Sequence, residues 1–84
     1  MPYIKQERRE LFDPLLEPII YQVESDGEVN YCITKIIDRV FSAKDYESFE
    51  RAIGVLTCIL LEYYRRRLVP FEDAKCAERG DVYE

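Results

Sequence analysis

Three consecutive arginines form the densest cluster of positive charge in the sequence, and their chemistry suggests contacts with phosphate groups. Arg65, Arg66 and Arg67 directly follow a long apolar segment. Successive side chains on a helix point about 100° apart, so the three guanidinium groups spread around the axis and do not form one bidentate clamp. Cations also favour a helix C-terminus, so the helix dipole and ion pairs with the acidic segment that follows account for them without any ligand.

A larger basic patch would require residues from the other end of the chain. Lys5, Arg8 and Arg9 are available there, but the sequence alone does not bring them to the arginine cluster. The chain has 12 basic and 17 acidic residues, a net charge of −5, which disfavours broad nucleic-acid binding. Binding of nucleic acid or phosphate through residues 65–67 is therefore an alternative function and not the favoured one.

Acidic residues suggest metal chemistry more weakly. Helical nucleotide pyrophosphatases hold Mg²⁺ with paired E-x-x-E and E-x-x-D motifs, and Glu7 with Glu10 makes an E-x-x-E match in the N-terminal segment. Glu62, Glu72 and Asp73 are further candidate ligands. Solvated acidic helix faces explain all five residues more simply. A metal-dependent nucleotide hydrolase is therefore a distant third hypothesis, and we predict no catalytic residue, metal or cofactor.

The absence of histidine and the arrangement of cysteines limit the chemistry further. Without histidine the chain has no Ser-His-Asp triad, no Cys-His dyad and no histidine-bound zinc. Cys32, Cys58 and Cys76 are an odd number without a C-x-x-C pair, which disfavours a disulfide framework and favours a reducing compartment. We therefore predict a cytoplasmic location. Cys32 and Cys58 lie on or beside apolar stripes and are interpreted as small hydrophobic residues.

Apolar periodicity predicts an all-α fold, a small bundle of three to four helices in a single domain over residues 1–84. The predicted helices cover residues 14–24, 28–41, 45–68 and 71–79, with a turn or short helix over residues 5–11 as an option before the first. Residues 81–84 form a polar tail. Asp13 and Pro14 suit the start of the first helix, while Pro18 should kink it or delay its start.

Capping residues define the ends of the later helices. Ser25 and Glu28 make a capping box for the second helix, with Asp26 as a competing cap. Pro70 is predicted to end the third helix, and Gly80 to cap the last one.

The third helix predicts self-association. Residues 53–61 are apolar on nearly every side, and a chain of 84 residues offers only two other apolar stripes to cover them. A symmetric homodimer solves this problem most simply, and Gly54 would allow two helices to approach closely there. No segment is long and apolar enough to cross a membrane. The predicted interface residues are Ile53, Gly54, Leu56, Ile59, Leu60, Tyr63 and Tyr64.

Polar residues near the start of the second helix form one more cluster. Asn30 and Thr34 lie one turn apart on either side of Tyr31. Because buried polar groups need partners, the trio either fixes the register of the helices or contacts a ligand. The register role is the simpler interpretation.

Several sequence blocks together resemble a family of small uncharacterised proteins of prokaryotic and phage genomes. The blocks are MPYIKQERRE, GEVNYCIT, GVLTCILLEYYRR, the P-x-E-D of residues 70–73 and GDVYE. The resemblance covers nearly the whole chain and implies no activity. Members of that family carry charged residues at the positions of Thr57 and Leu60, so the third helix is more apolar here. The favoured function is accordingly a non-enzymatic module that acts through self-association or contacts with another protein.

Overall fold

A computed structural model describes residues 1–83, and these residues form helices and no strand. The helices are α1 (Gln6–Gln22), α2 (Asp26–Val40), α3 (Tyr46–Tyr63), a π-helical segment (Tyr64–Leu68) and α4 (Val69–Arg79). The predicted all-α class is confirmed. No helix of the described residues is long and apolar enough to cross a membrane.

Helix α1 begins earlier than the sequence indicates. It starts at Gln6, so Asp13 lies inside the helix and the prediction of Asp13 as the N-cap is wrong. Pro14 and Pro18 both lie inside α1, and the carbonyls of Glu10 and Pro14 receive no N–H from them. Because both prolines are exposed, water can reach these carbonyls, and the helix continues through residues that usually end one.

The start of α2 confirms the predicted cap. The Ser25 hydroxyl accepts the backbone N–H of Glu28 at 3.1 Å, so Ser25 and not Asp26 is the N-cap. The Glu28 carboxylate reaches back to the backbone N–H of Glu24 at 2.7 Å, one residue before the amide that a standard capping box uses. Two amides at this helix end therefore have side-chain partners.

The turn between α2 and α3 is stabilised by two carboxylates. Lys44 adopts a left-handed backbone conformation with φ of 60°, and its ammonium group forms an ion pair with Asp38. Asp45 then accepts the backbone N–H of Ser48 at 2.8 Å and caps α3.

Pro70 does not end the helix, contrary to the sequence prediction. The backbone N–H of Val69 donates to the carbonyl of Tyr64, five residues earlier, so the helix widens into a π turn and continues into α4. Proline has no N–H, and its ring crowds the carbonyl four residues earlier, here that of Arg66. The wide turn before Pro70 accommodates the ring without breaking the helix.

The end of α4 follows the sequence prediction. Gly80 has φ of 94°, a conformation that favours glycine, and its N–H donates to the carbonyl of Cys76 at 2.8 Å. Of the predicted tail, residues 81–83 are non-helical, and Glu84 lies outside the described residues.

The chain divides into two compact units. One consists of Pro2–Ala52 and contains α1, α2 and the start of α3, and the other runs from Ile53 onward together with Met1. Among the described residues Ala52 is the only buried hydrophobic residue and Ser48 the only buried polar one. The single-domain organisation remains a prediction.

Candidate interaction surface

The predicted interface residues of α3 and the π segment are all accessible. The six with side chains are between 37 and 68% exposed, with Leu56 at the low end and Tyr63 at the high end. Soluble monomers rarely expose large hydrophobic side chains in continuous runs. This run of residues is therefore an exposed apolar surface. We call it the α3 surface: Ile53, Gly54, Leu56, Ile59, Leu60, Tyr63 and Tyr64.

Burial along α3 defines an inner and an outer side. Ser48 and Ala52, one turn apart, are buried and mark the inner side. Ile53, Leu60 and Leu61 are at least 60% exposed and lie on other sides of the helix. Leu61 was not among the predicted interface residues. Leu61 is 60% exposed, close to the 66% of Leu60, and its position in the apolar stretch of α3 is the signal for it.

Gly54 leaves an open place on the α3 surface. Apart from the adjacent residues and the backbone of the same helix turns, a Cβ atom added at Gly54 would meet no atom within 4 Å. Glycine inside a helix costs about 1 kcal/mol relative to alanine. The space beside Gly54 is open, and the close approach of a second helix that the sequence predicts stays a prediction.

The one hydroxyl in the apolar stretch of α3 is bonded inside the helix. The Thr57 hydroxyl donates to the carbonyl of Ile53 at 2.8 Å. The neighbouring Cys58 is exposed, carries a free thiol and behaves as a small hydrophobic group. The stretch from Ala52 to Leu61 has no charged residue. This part of α3 can therefore lose its contact with water without leaving a side chain in need of a hydrogen-bond partner.

The arginine cluster lies in the π segment and is partly engaged by acidic groups of the chain. One terminal nitrogen of Arg65 donates to both oxygens of Glu62, at 3.0 and 3.1 Å. Arg66 also has an interaction within the chain. Glu62 precedes Arg65 and does not belong to the acidic segment that follows the cluster. Arg67 is exposed.

The N-terminal basic residues belong to the unit Pro2–Ala52. The Arg8 guanidinium lies 5.2 Å from the centroid of the Phe12 ring, and the Nε of Arg9 donates to the carbonyl of Ile4 at 2.8 Å. Lys5 precedes α1 and provides no side-chain cap. These contacts are local ones within the first turns of α1.

The described residues contain no cluster of three or more acidic or cysteine side chains that could hold a metal ion. Besides Glu7 with Glu10, the sequence contains a second E-x-x-E match in Glu47 and Glu50, and Glu10 with Asp13 is an E-x-x-D match.

The third cysteine, Cys76, is exposed, whereas Cys32 is half-buried on α2.

Asn30, Tyr31 and Thr34 do not form a buried cluster. All three are exposed, and the Thr34 hydroxyl donates to the side-chain oxygen of Asn30 at 3.0 Å. The Lys35 ammonium lies 5.8 Å from the centroid of the Tyr31 ring. The amide and the hydroxyl satisfy each other on the exposed surface of α2, and whether they fix the register of packed helices or contact a ligand stays a prediction.

Two open depressions border α2. One, of about 640 Å³, lies between the end of α1 and the start of α2 and is mainly apolar, with Ile19, Val23 and Cys32 in its lining. The other, of about 590 Å³, follows the polar side of α2 from Asp26 to Lys35. No buried polar group without a partner lies among the described residues, so neither depression presents an unsatisfied group to a ligand.

Comparison with known proteins identifies a family. The sequence model of a domain of unknown function, DUF6899, matches residues 1–82, nearly the whole chain, and the chain belongs to this family. No curated protein and no solved structure matches it. The resemblance to an uncharacterised family is thereby confirmed.

Proposed function

We propose that this chain is a small, non-catalytic helical module whose function depends on self-association through the α3 surface. The observation that carries the proposal is the exposure of that surface. Leu60 and Ile53 are 66 and 62% exposed in the middle of a stretch without any charged residue. Water at such a surface is unfavourable by about 25 cal/mol for each Å² of apolar area.

The size of a stable interface supports a second copy as the cover. Each partner contributes roughly 800 Å² to a standard stable interface. Large apolar side chains of the α3 surface are available for such an interface, with Ile53 62% and Tyr63 68% exposed. A homodimer can therefore add buried apolar area to a chain whose described residues include a single buried hydrophobic residue, Ala52.

We place the protein in the cytoplasm, and its relatives among small proteins of prokaryotes and phages. The support for the cytoplasm is that Cys32, Cys58 and Cys76 are all free thiols, as a reducing compartment maintains them. The prokaryotic and phage origin rests on the sequence blocks that resemble such proteins. A contact between the α3 surface and another protein is compatible with the cytoplasmic location and with the prokaryotic or phage origin.

Light scattering coupled to size exclusion tests the proposal. The wild-type chain is expected to elute with the mass of a dimer at micromolar concentration, because a monomer would leave the α3 surface in water. Leu60→Asp should reduce the mass to that of a monomer or unfold the chain, since a carboxylate cannot be buried unpaired. Val82→Asp, at an apolar residue that is 85% exposed and lies outside the helices, is the control and should leave the mass unchanged. A folded wild-type monomer would rule out self-association.

Nucleic-acid or phosphate binding by Arg65, Arg66 and Arg67 remains the alternative function. The ion pair between Arg65 and Glu62 reduces the positive charge available for binding a phosphate. If the arginines serve only the helix end and local ion pairs, Arg66→Ala will leave retention on DNA or RNA unchanged. A salt-sensitive affinity that falls markedly in this variant would favour the alternative.

A further inference from the structure

Charge is distributed unevenly on the two sides of the apolar stretch of α3. Residues 45–51 contain three acidic residues and one arginine, a net charge of −2. Residues 62–68 contain one acidic residue and three arginines, a net charge of +2. The ten residues between these two segments carry no charge. Helix α3 with its π extension is therefore acidic at one end, basic at the other and apolar between.

This distribution determines how two copies can pair. In a parallel, in-register pair the acidic ends lie together and the basic ends lie together, and each contact repels. In an antiparallel pair the acidic end of each copy meets the basic end of the other, while the two apolar stretches still coincide. The two helix dipoles also point in opposite directions in that orientation, which is electrostatically favourable.

We infer that two copies of this chain join antiparallel along α3, with residues 45–51 of each against residues 62–68 of the other. The inference rests on the self-association proposed above. Thr57 is at the middle of the stretch 53–61, and its hydroxyl is bonded to the carbonyl of Ile53. The centre of the paired surface is thus free of charge and has no hydroxyl in need of a partner. Gly54, near that centre, leaves room for a side chain of the second copy.

Cross-linking between differently mutated chains tests the orientation. Glu50 and Arg67 are both exposed, and 17 residues of helix place them about 25 Å apart along one chain. The background carries Cys32→Ala, Cys58→Ala and Cys76→Ala, and must first show the wild-type mass by light scattering. One chain then receives Glu50→Cys and the other, with a tag that changes its mass, receives Arg67→Cys. The two are unfolded together, refolded and treated with a short bismaleimide.

The antiparallel arrangement predicts cross-links mainly between one chain of each kind, because Cys at position 50 lies near position 67 of the other copy. Cross-links mainly between identical chains would show a parallel pair and overturn the inference while leaving self-association intact. A dimer that gives no cross-link would overturn it as well. A wild-type chain that is monomeric by light scattering would instead refute the proposed function on which the inference rests.

Charge exchange gives a second, independent test. Glu47→Arg with Glu50→Arg should weaken dimerisation roughly tenfold, and Arg66→Glu with Arg67→Glu should have a similar effect, because each places like charges together. The chain with all four substitutions is expected to recover most of the wild-type dissociation constant. In a parallel pair, each double substitution would only exchange repulsion between two acidic ends for repulsion between two basic ends, or the reverse. An unchanged dissociation constant in both double variants would therefore contradict the antiparallel arrangement. Failure of the fourfold variant to recover would contradict it too.

Discussion

The Thr57 hydroxyl donates its hydrogen bond to the Ile53 carbonyl, one turn earlier in α3, at 2.8 Å. A hydroxyl that is bonded within its own helix needs no partner on a neighbouring molecule. The apolar stretch of α3 therefore behaves as a continuous hydrophobic surface although its sequence contains a threonine.

We predict that Thr57→Val leaves the dimer at least as stable as the wild type, because no contact to a second copy depends on the hydroxyl. Thr57→Asp should weaken the dimer strongly, since it places a charge at the centre of the α3 surface. Light scattering over a dilution series measures both effects. A valine variant that dissociates more readily than the wild type would mean that the hydroxyl bonds to the partner.

The cap of α2 is the second prediction. Ser25→Ala removes the hydroxyl that accepts the N–H of Glu28, so the free energy of unfolding should fall by about 1 kcal/mol. Ser42→Ala, in the exposed turn after α2, is the control and should have little effect. Thermal unfolding followed by circular dichroism compares the two variants at equal protein concentration. Equal melting temperatures for both would contradict the role of Ser25.

Lys44 has a left-handed backbone conformation, which costs a residue with a Cβ about 1 kcal/mol relative to glycine. Lys44→Gly and Lys44→Ala both remove the ion pair with Asp38, so their difference reports the backbone alone. We predict that the glycine variant is the more stable of the two by about 1 kcal/mol, from chemical denaturation. An alanine variant of equal or higher stability would show that position 44 is not held in this conformation.

The same ion pair affects the titration of Asp38. The hydrogen bond from the Lys44 ammonium, and then its charge, lower the pKa of Asp38 below its usual value. Because the folded pKa is the lower one, the ion pair stabilises the fold above the unfolded pKa, and this stabilisation is lost as the pH falls through the folded pKa. Carboxyl chemical shifts in an NMR titration should show the lowered pKa, and Lys44→Ala should raise it. An unchanged pKa in that variant would contradict the contact.

The parts of the fold that were predictable from sequence depend on local chemistry. Ser25 caps α2 and Gly80 ends α4 because each acts on amides or carbonyls within one turn. The effect of Pro14, Pro18 and Pro70 was not predictable in this way. Whether a proline breaks a helix depends on whether water or a wider turn accommodates the carbonyls around it, and that depends on exposure in the folded chain.

The α3 surface was predictable from the sequence only in part. The apolar stretch around Leu60 is visible in the sequence, because an all-round apolar helix needs a cover. That Leu60 is 66% exposed depends on packing that no local pattern encodes. The contact of Arg65 with Glu62, three residues earlier, follows from helical spacing. The sequence prediction instead paired the arginines with the acidic residues that follow them.

The π turn before Pro70 is the basis of the last prediction. The N–H of Val69 reaches the carbonyl of Tyr64, and Pro70 offers no N–H to the carbonyl of Arg66. Pro70→Ala restores that donor and removes the ring, so the reason for the wide turn disappears and the segment should become α-helical. We expect the free energy of unfolding to rise by about 1–3 kcal/mol, the range in which an interior proline weakens a helix. Pro2→Ala, outside the helices, is the control and should change little. Backbone chemical shifts of residues 64–69 report the change from π to α geometry, and chemical denaturation reports the stability. A less stable Pro70→Ala variant would mean that the wide turn itself stabilises the fold.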